Sequence, residues 1–337
     1  MRYKKMEKSL HFSLLAILAL ITFANAADYP LKPVPFHEVK MTSAFWLPRL
    51  ETQRKVLVPF ALEKTEPGVA HLQAAADFLK GKTPEGHRAH RFIDSDLYKV
   101  MEGVAYLVKL KKDPTLEAQF DRIVDVIEAA QEPNGYLYPS HTTGIGKTKN
   151  MMGDKPYEFV VHSHELYNVG HLYEAAVAYY EATGKRTLLD VAIKNANLVD
   201  SLFGEGEGQK IDVPGHQEIE IGLVKLYRTT GETRYLDLAK FFLDHRGVPE
   251  GRKENRVYGE YWQDHRPVTE QTEAVGHAVR AAYMYSGMAD VAALTGETSY
   301  IEAIDTLWEN VVGKKMYLTG GIGARHHDEA FGANYEL

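Results

Sequence analysis

From Phe45 onward, apolar positions recur at three- and four-residue intervals, the period of a helix. Val, Ile and Thr never alternate with polar residues for long, so the pattern predicts no sheet of any size. It predicts ten helices, near 44–65, 68–80, 94–111, 114–131, 163–183, 185–203, 217–230, 232–246, 269–295 and 297–313. Two kinds of helix alternate. The second of each pair is amphipathic: Leu188, Leu189, Ala192, Ala196 and Val199 share one face, while Asp190, Lys194 and Asn197 share the other. The first is not. Leu166 to Tyr173 carries no charge, and Ala274 to Met288 carries only Arg280 among small residues. A helix apolar or small nearly all round is buried on both sides. First helices therefore form an inner layer and second helices an outer one.

The pairs also repeat in sequence. Tyr180-Glu181-Ala182-Thr183-Gly184, Tyr227-Arg228-Thr229-Thr230-Gly231 and Ala293-Leu294-Thr295-Gly296 each end one helix on Thr-Gly before a short turn and a new helix. Glycine there suits a left-handed helix C-cap. Short turns make antiparallel neighbours, and stacked pairs close into a ring. The expected fold class is all-α, an (α/α)6-type barrel of helix pairs. Six pairs close such a ring, so ten helices leave it incomplete in this chain.

Residues 1–26 read as a secretory signal peptide: a basic start (Arg2, Lys4, Lys5, Lys8), an apolar run from Leu10 to Phe23, and small residues at Ala24-Asn25-Ala26. This implies a periplasmic or secreted protein with no membrane contact after cleavage. Residues 27–43, with Pro30, Pro33 and Pro35, read as an extended arm, and 44–337 as the barrel domain. The formal charge is −7, with 39 Lys+Arg against 46 Asp+Glu, which argues against nucleic acid or an anionic membrane as partner. The chain has no cysteine, hence no disulfide framework, thiol nucleophile or thiolate metal site.

Candidate chemistry gathers at one end of the ring. His164, His216 and His277 each stand at or near the start of an inner helix, and His171 lies two turns beyond His164. If all inner helices run the same way, three imidazoles meet at one mouth. Loops after outer helices return to that mouth. One is Gln131-Glu132-Pro133-Asn134-Gly135-Tyr136-Leu137-Tyr138, whose tyrosines offer a sugar platform; Asp94-Ser95-Asp96 opens another inner helix there. The last such loop holds Glu329 beside Ala330, Phe331 and Gly332, surroundings that let a carboxyl keep its proton. Glu329 is the candidate acid; His164, His216, His277, Asp96 and Tyr136 are candidate sugar contacts. The same stretch also reads as a glycine-rich surface loop, and each histidine as a core residue. A histidine zinc site has no H-E-x-x-H pattern to support it.

Motifs spanning the chain resemble those of the β-L-arabinofuranosidase-type glycoside hydrolases of family 127 and its sister family 146. They are Ser95-Asp96-Leu97-Tyr98-Lys99, Gln131 with Asn134-Gly135-Tyr136-Leu137, His162-Ser163-His164-Glu165-Leu166-Tyr167, Gly215-His216-Gln217-Glu218-Ile219-Glu220, Ala274-Val275-Gly276-His277-Ala278-Val279-Arg280, and Thr319-Gly320-Gly321-Ile322-Gly323 with Glu329-Ala330-Phe331-Gly332. The resemblance implies an α/α six-pair barrel followed by β-sandwich domains, which this chain lacks. It implies a retaining hydrolase acting on a glycan, with Glu329 as general acid/base and His164, His216 and His277 on the sugar. It also implies a cysteine thiolate nucleophile held on zinc by ligands that would lie beyond Leu337. On that reading the chain is a truncated fragment, inactive alone. Two alternatives stay open: another α/α-barrel enzyme (a hydrolase of a different pectic sugar, a sugar epimerase or an unsaturated-uronide hydrolase), and a glycan-binding remnant without catalysis.

Overall fold

The computed structural model describes residues 28–83, 90–145 and 149–336; the expected signal peptide lies outside them. Ten long helices fall in five antiparallel pairs among the described residues. The first pair is α1, a continuous run of Trp46–Thr52, a π turn Gln53–Leu57 and Val58–Lys64, with α2, Glu66–Leu79. The others are α3 (Ile93–Leu110) with α4 (Pro114–Ala130), α5 (Glu165–Thr183) with α6 (Thr187–Leu202), α7 (Ile219–Thr230) with α8 (Thr233–Asp244), and α9 (Ala278–Thr295) with α10 (Thr298–Lys314).

The first helices stand side by side in the order α1, α3, α5, α7, α9, and the second helices pack behind them. The all-α, barrel-type arrangement is therefore the one the hydrophobic pattern implied. Its most enclosed member is α5, where every residue from Glu165 to Tyr173 is buried. The amphipathic α6 turns Leu188, Leu189, Ala192, Ala196 and Val199 inward. At the far flank the arc stays open: Trp46, Val56, Leu57 and Phe60 on α1 are exposed apolar side chains.

The Thr-Gly junctions have a common cause. Helices α5, α7 and α9 end at Thr183, Thr230 and Thr295, each followed by a glycine with φ of 75°, 77° and 76°. Each threonine hydroxyl donates back to the carbonyl four residues earlier (Tyr179, Leu226, Val291) and accepts from the N–H two residues later (Lys185, Glu232, Glu297). The side chain thus serves both a loose helix carbonyl and the first loop N–H.

One expected boundary is wrong. Helix α9 begins at Ala278, not near 269. Residues 268–277 instead form a single turn (Val268–Glu270) and a loop, in which Gln263 Nε2 donates to the carbonyls of Val275 and His277. The described part of the arm lies at the end away from the histidines. Tyr29 donates to Asp290 at 3.0 Å and Arg228 to Asp28 at 2.7 Å, both near the C-terminal ends of inner helices. Among the described residues no helix is long and apolar enough to cross a membrane.

Candidate active site

The N-terminal ends of α5, α7 and α9 bring His164, His216 and His277 into one row. Ring centroids are 5.5 Å apart between His164 and His216, and 5.5 Å between His216 and His277. The loops that carry them are pressed together. Gly215 donates its N–H to the Val160 carbonyl at 3.0 Å, and a Cβ on Gly215 would stand 2.0 Å from the Val161 carbonyl oxygen. Only glycine allows that approach. His164 itself sits at φ 65°, between the single turn Val160–Ser163 and α5. Such strained backbone persists where the surroundings fix it. Here Tyr138 is the brace, donating to the Ser163 carbonyl at 2.6 Å.

Glu329 joins the row from the C-terminal loop. A short antiparallel bridge between His277 and Ala330 holds it: Ala278 N–H donates to the Glu329 carbonyl at 2.9 Å, and Phe331 N–H to the Gly276 carbonyl at 2.8 Å. Phe331 anchors the loop by packing on Ala274, Ala278 and Ala281. The result places Glu329 Oε2 at 3.0 Å from His277 Nε2. Ala330 and Phe331 do not enclose the carboxyl, however. They turn inward, while Glu329, at φ 50°, points out with its side chain 73% exposed. The dehydrated setting expected from the neighbouring residues is absent, because Glu329 ends a turn at positive φ and directs its carboxyl away from the buried Ala330 and Phe331.

All three imidazoles are held neutral. Burial, then the charge of Arg91, push His164 down to about 3. Burial and Arg280 hold His216 well below its ordinary value and lower His277, against the raising effect of Glu329. Hydrogen bonds set the tautomer at two of them. His164 Nδ1 lies 3.1 Å from both the Arg91 Nε–H and the His162 carbonyl, so its contacts do not select one tautomer. The Arg280 backbone N–H donates to His277 Nδ1 at 3.4 Å, capping α9, so His277 Nε2–H faces Glu329. His216 is the reverse: its Nδ1–H donates to the Gln217 carbonyl at 3.1 Å and Nε2 keeps its lone pair. The row thus offers an N–H donor turned to Glu329, a free nitrogen acceptor at His216 and one carboxyl.

The other expected contacts fare differently. Asp96 is half exposed and reaches the row only through Lys99, 3.7 Å away, whose ammonium donates to Tyr167 at 2.7 Å. The buried member of that pair is Asp94, 3.0 Å from His71. Tyr136 is not a platform. It is 1% exposed, and its hydroxyl donates at 2.5 Å to Glu165 in the core. Its ring is consumed by packing on Tyr157. Sequence reading missed Tyr167, whose ring lies 4.0 Å from His216, and Arg280, stacked 4.7 Å over Tyr261. The absence of other charge on the first half of α9 was the available signal for Arg280.

Beneath the row lies a second polar cluster. His171 Nδ1 is 3.1 Å from Glu218 Oε1 and 3.4 Å from Glu174 Oε2. Lys225 Nζ is 2.5 Å from Glu174 and 2.9 Å from Glu102. Burial and the neighbouring Glu174 raise Glu218 well above the carboxylate range. Burial alone would raise Glu174 too, but hydrogen bonds from His171 and Glu218, with the Lys225 charge, bring it to about 2. Among the described residues, His171, Glu174 and Glu218 form the one group with ligand atoms close enough for a metal ion. The Lys225 ammonium already supplies the cation there. The zinc implied by family resemblance needs cysteine ligands, and the chain has no cysteine, so the residues present do not make that site.

Residues 38–337 match the family profile described as "Beta-L-arabinofuranosidase, GH127 catalytic domain". The chain is 34% identical over 336 residues to a non-reducing end β-L-arabinofuranosidase of Bifidobacterium longum, covering 89% of this chain and 50% of that protein. A solved GH127 β-arabinofuranosidase superposes with a TM-score of 0.85 at 48% identity, covering 93% of this chain and 48% of the other. A GH127 β-L-arabinofuranosidase from Geobacillus stearothermophilus T6 gives 0.79 at 38% identity, covering 89% and 49%. The chain spans about half the length of each.

Proposed function

The chain belongs to the family of GH127 β-L-arabinofuranosidase catalytic domains, and on that premise we propose that it carries the acid/base half of an exported retaining glycoside hydrolase. The substrate on this reading is a non-reducing terminal β-L-arabinofuranoside of a plant-wall glycan. The observation that carries it is the row of three neutral imidazoles ending at Glu329, 3.0 Å from His277.

Each group has a task that suits it. His216 accepts from a sugar hydroxyl through its free Nε2, and His164 presents its ring edge to the same opening. Neutral imidazoles do this without drawing counter-ions into the mouth. Protonated Glu329 gives its proton to the glycosidic oxygen as the C1–O bond breaks, then takes one from the water that completes the reaction. His277 Nε2–H holds the carboxyl in position between these transfers. The chain has no cysteine, so no step is routed through sulfur or metal. The signal-peptide pattern of residues 1–26 supports a periplasmic or secreted location, and the net charge of −7 supports a glycan rather than a nucleic acid as partner.

The test is turnover of a nitrophenyl β-L-arabinofuranoside by this chain and by a full-length protein containing it, each with and without zinc. The full-length protein is expected to turn over and the 337-residue chain to remain inactive under both conditions. Zinc-dependent turnover by the chain alone would contradict the half-site reading.

A further inference from the structure

Beside the histidine row lies a cavity of about 630 Å³ that the proposed chemistry does not use. Its size is within the roughly 300–1,000 Å³ common for small-ligand sites. His162 and Trp262 form the lip between the two, with ring centroids 6.1 Å apart. His162 is two residues before His164. Trp262 packs at 4.9 Å on Tyr261, which in turn meets His277 at 5.8 Å. A glycan with its terminal sugar among the histidines would enter the cavity over this lip.

The lining is cationic although the chain is not. Lys155, Lys210, Arg252, Lys253 and Arg256 face Glu158, Asp212 and Glu254, in a chain whose net charge is −7. Two of the three acids are already engaged. Asp212 accepts from Tyr258 at 2.7 Å and pairs with Lys210 at 3.1 Å; Glu158 accepts the backbone N–H groups of Asp154 and Lys155 at 2.6 and 3.1 Å. Lys155, Lys253 and Arg256 are exposed at the rim. The floor is rigid. Arg252, 4% exposed, forks onto Asp264 at 2.8 and 2.9 Å and lies 4.6 Å over the Tyr258 ring. Its Nη2 lies 3.5 Å from Asp212 Oδ1, and its enclosed Nε makes no hydrogen bond.

Half-exposed aromatic rings beside guanidinium and ammonium groups match a sugar ring that carries a carboxylate. We propose that this cavity is a subsite for the part of the glycan beyond the terminal sugar, and that it selects a uronate residue there. The proposal rests on the glycan-hydrolase reading above and names the neighbouring sugar. It needs no turnover to be tested.

The experiment titrates the chain with tri-galacturonate and, separately, with neutral tri-galactose, following tryptophan fluorescence. Tri-galacturonate is expected to bind and to change the signal, and tri-galactose to bind at least about tenfold more weakly, the preference shrinking as salt screens the charges. Substituting Lys253→Gln together with Arg256→Gln is expected to weaken the acidic ligand about tenfold and leave the neutral one unchanged. Both side chains are exposed, so circular dichroism should show an unaltered fold. Trp262→Phe should abolish the fluorescence change. Equal binding of both ligands, no binding of either, or equal losses for both in the double variant would overturn the proposal. Binding of tri-galacturonate together with failure of the full-length protein to cleave arabinofuranosides would retain the subsite and refute the hydrolase reading instead.

Discussion

Two Glu–His pairs of almost equal length sit about one layer apart. His277 and Glu329 meet at 3.0 Å with the carboxyl 73% exposed; His171 and Glu218 meet at 3.1 Å with the carboxyl fully enclosed. Distance alone would give them one role. Burial separates them. The outer carboxyl is open to solvent, with an imidazole N–H to steady it. Burial and Glu174 beside it raise the inner one well above the carboxylate range. It belongs to the scaffold that holds Tyr167, and through it His216, in place.

The largest expected effect that would break this division is on the buried side. Glu174→Ala removes a carboxylate that serves Lys225 and His171 together. It is expected to destabilise the chain by about 2–3 kcal/mol in denaturant titration, below the ~3–5 of a fully buried pair because Lys225 keeps Glu102. Glu218→Gln keeps the side chain's shape at a carboxyl whose value is raised well above the carboxylate range, so its expected change is within about 1 kcal/mol. A loss as large as that of Glu174→Ala would show that Glu218 carries a charge.

A pH titration sharpens the same contrast. His164, His171 and His216 all have folded-state values below their ordinary ones because burial disfavours the imidazolium. Between about pH 6.5 and 3 the unfolded chain therefore binds more protons than the folded one, and stability falls as pH falls through that window. Glu174, brought to about 2, adds to the loss below its unfolded value. Glu218 works in the opposite sense, since its raised value favours the folded form at low pH. Melting temperature is expected to drop steadily from pH 7 to 4, and His171→Gln to flatten the drop. The smallest effect is expected at the mouth: Glu329→Ala should change stability by no more than about 0.5 kcal/mol, because its side chain buries little.

The helix pairs were legible because each carries its own local signals. Thr183-Gly184, Thr230-Gly231 and Thr295-Gly296 mark their ends, and the charge-free face of α5 marks its place inside. The meeting of His164, His216 and His277 with Glu329 followed from the common direction of the inner helices. What sequence concealed depends on contacts between distant segments. The start of α9 was hidden because Gln263, not a helix signal, holds residues 275–277. Tyr136 looked available until Glu165 and Tyr157 proved to enclose it. The placing of Glu329 depends on a bridge between Ala330 and His277, 53 positions apart in the chain.

The measurement that bears most directly on the mouth is the rate of Glu329→Gln in a full-length protein, with leaving groups of differing basicity. A proton donor matters most where the departing oxygen is most basic. Alkyl or sugar arabinofuranosides are therefore expected to lose about 10²–10⁴-fold in rate and nitrophenyl ones far less. An equal loss for both would contradict proton donation by Glu329, and with it the account of the histidine row as an acid-bearing site.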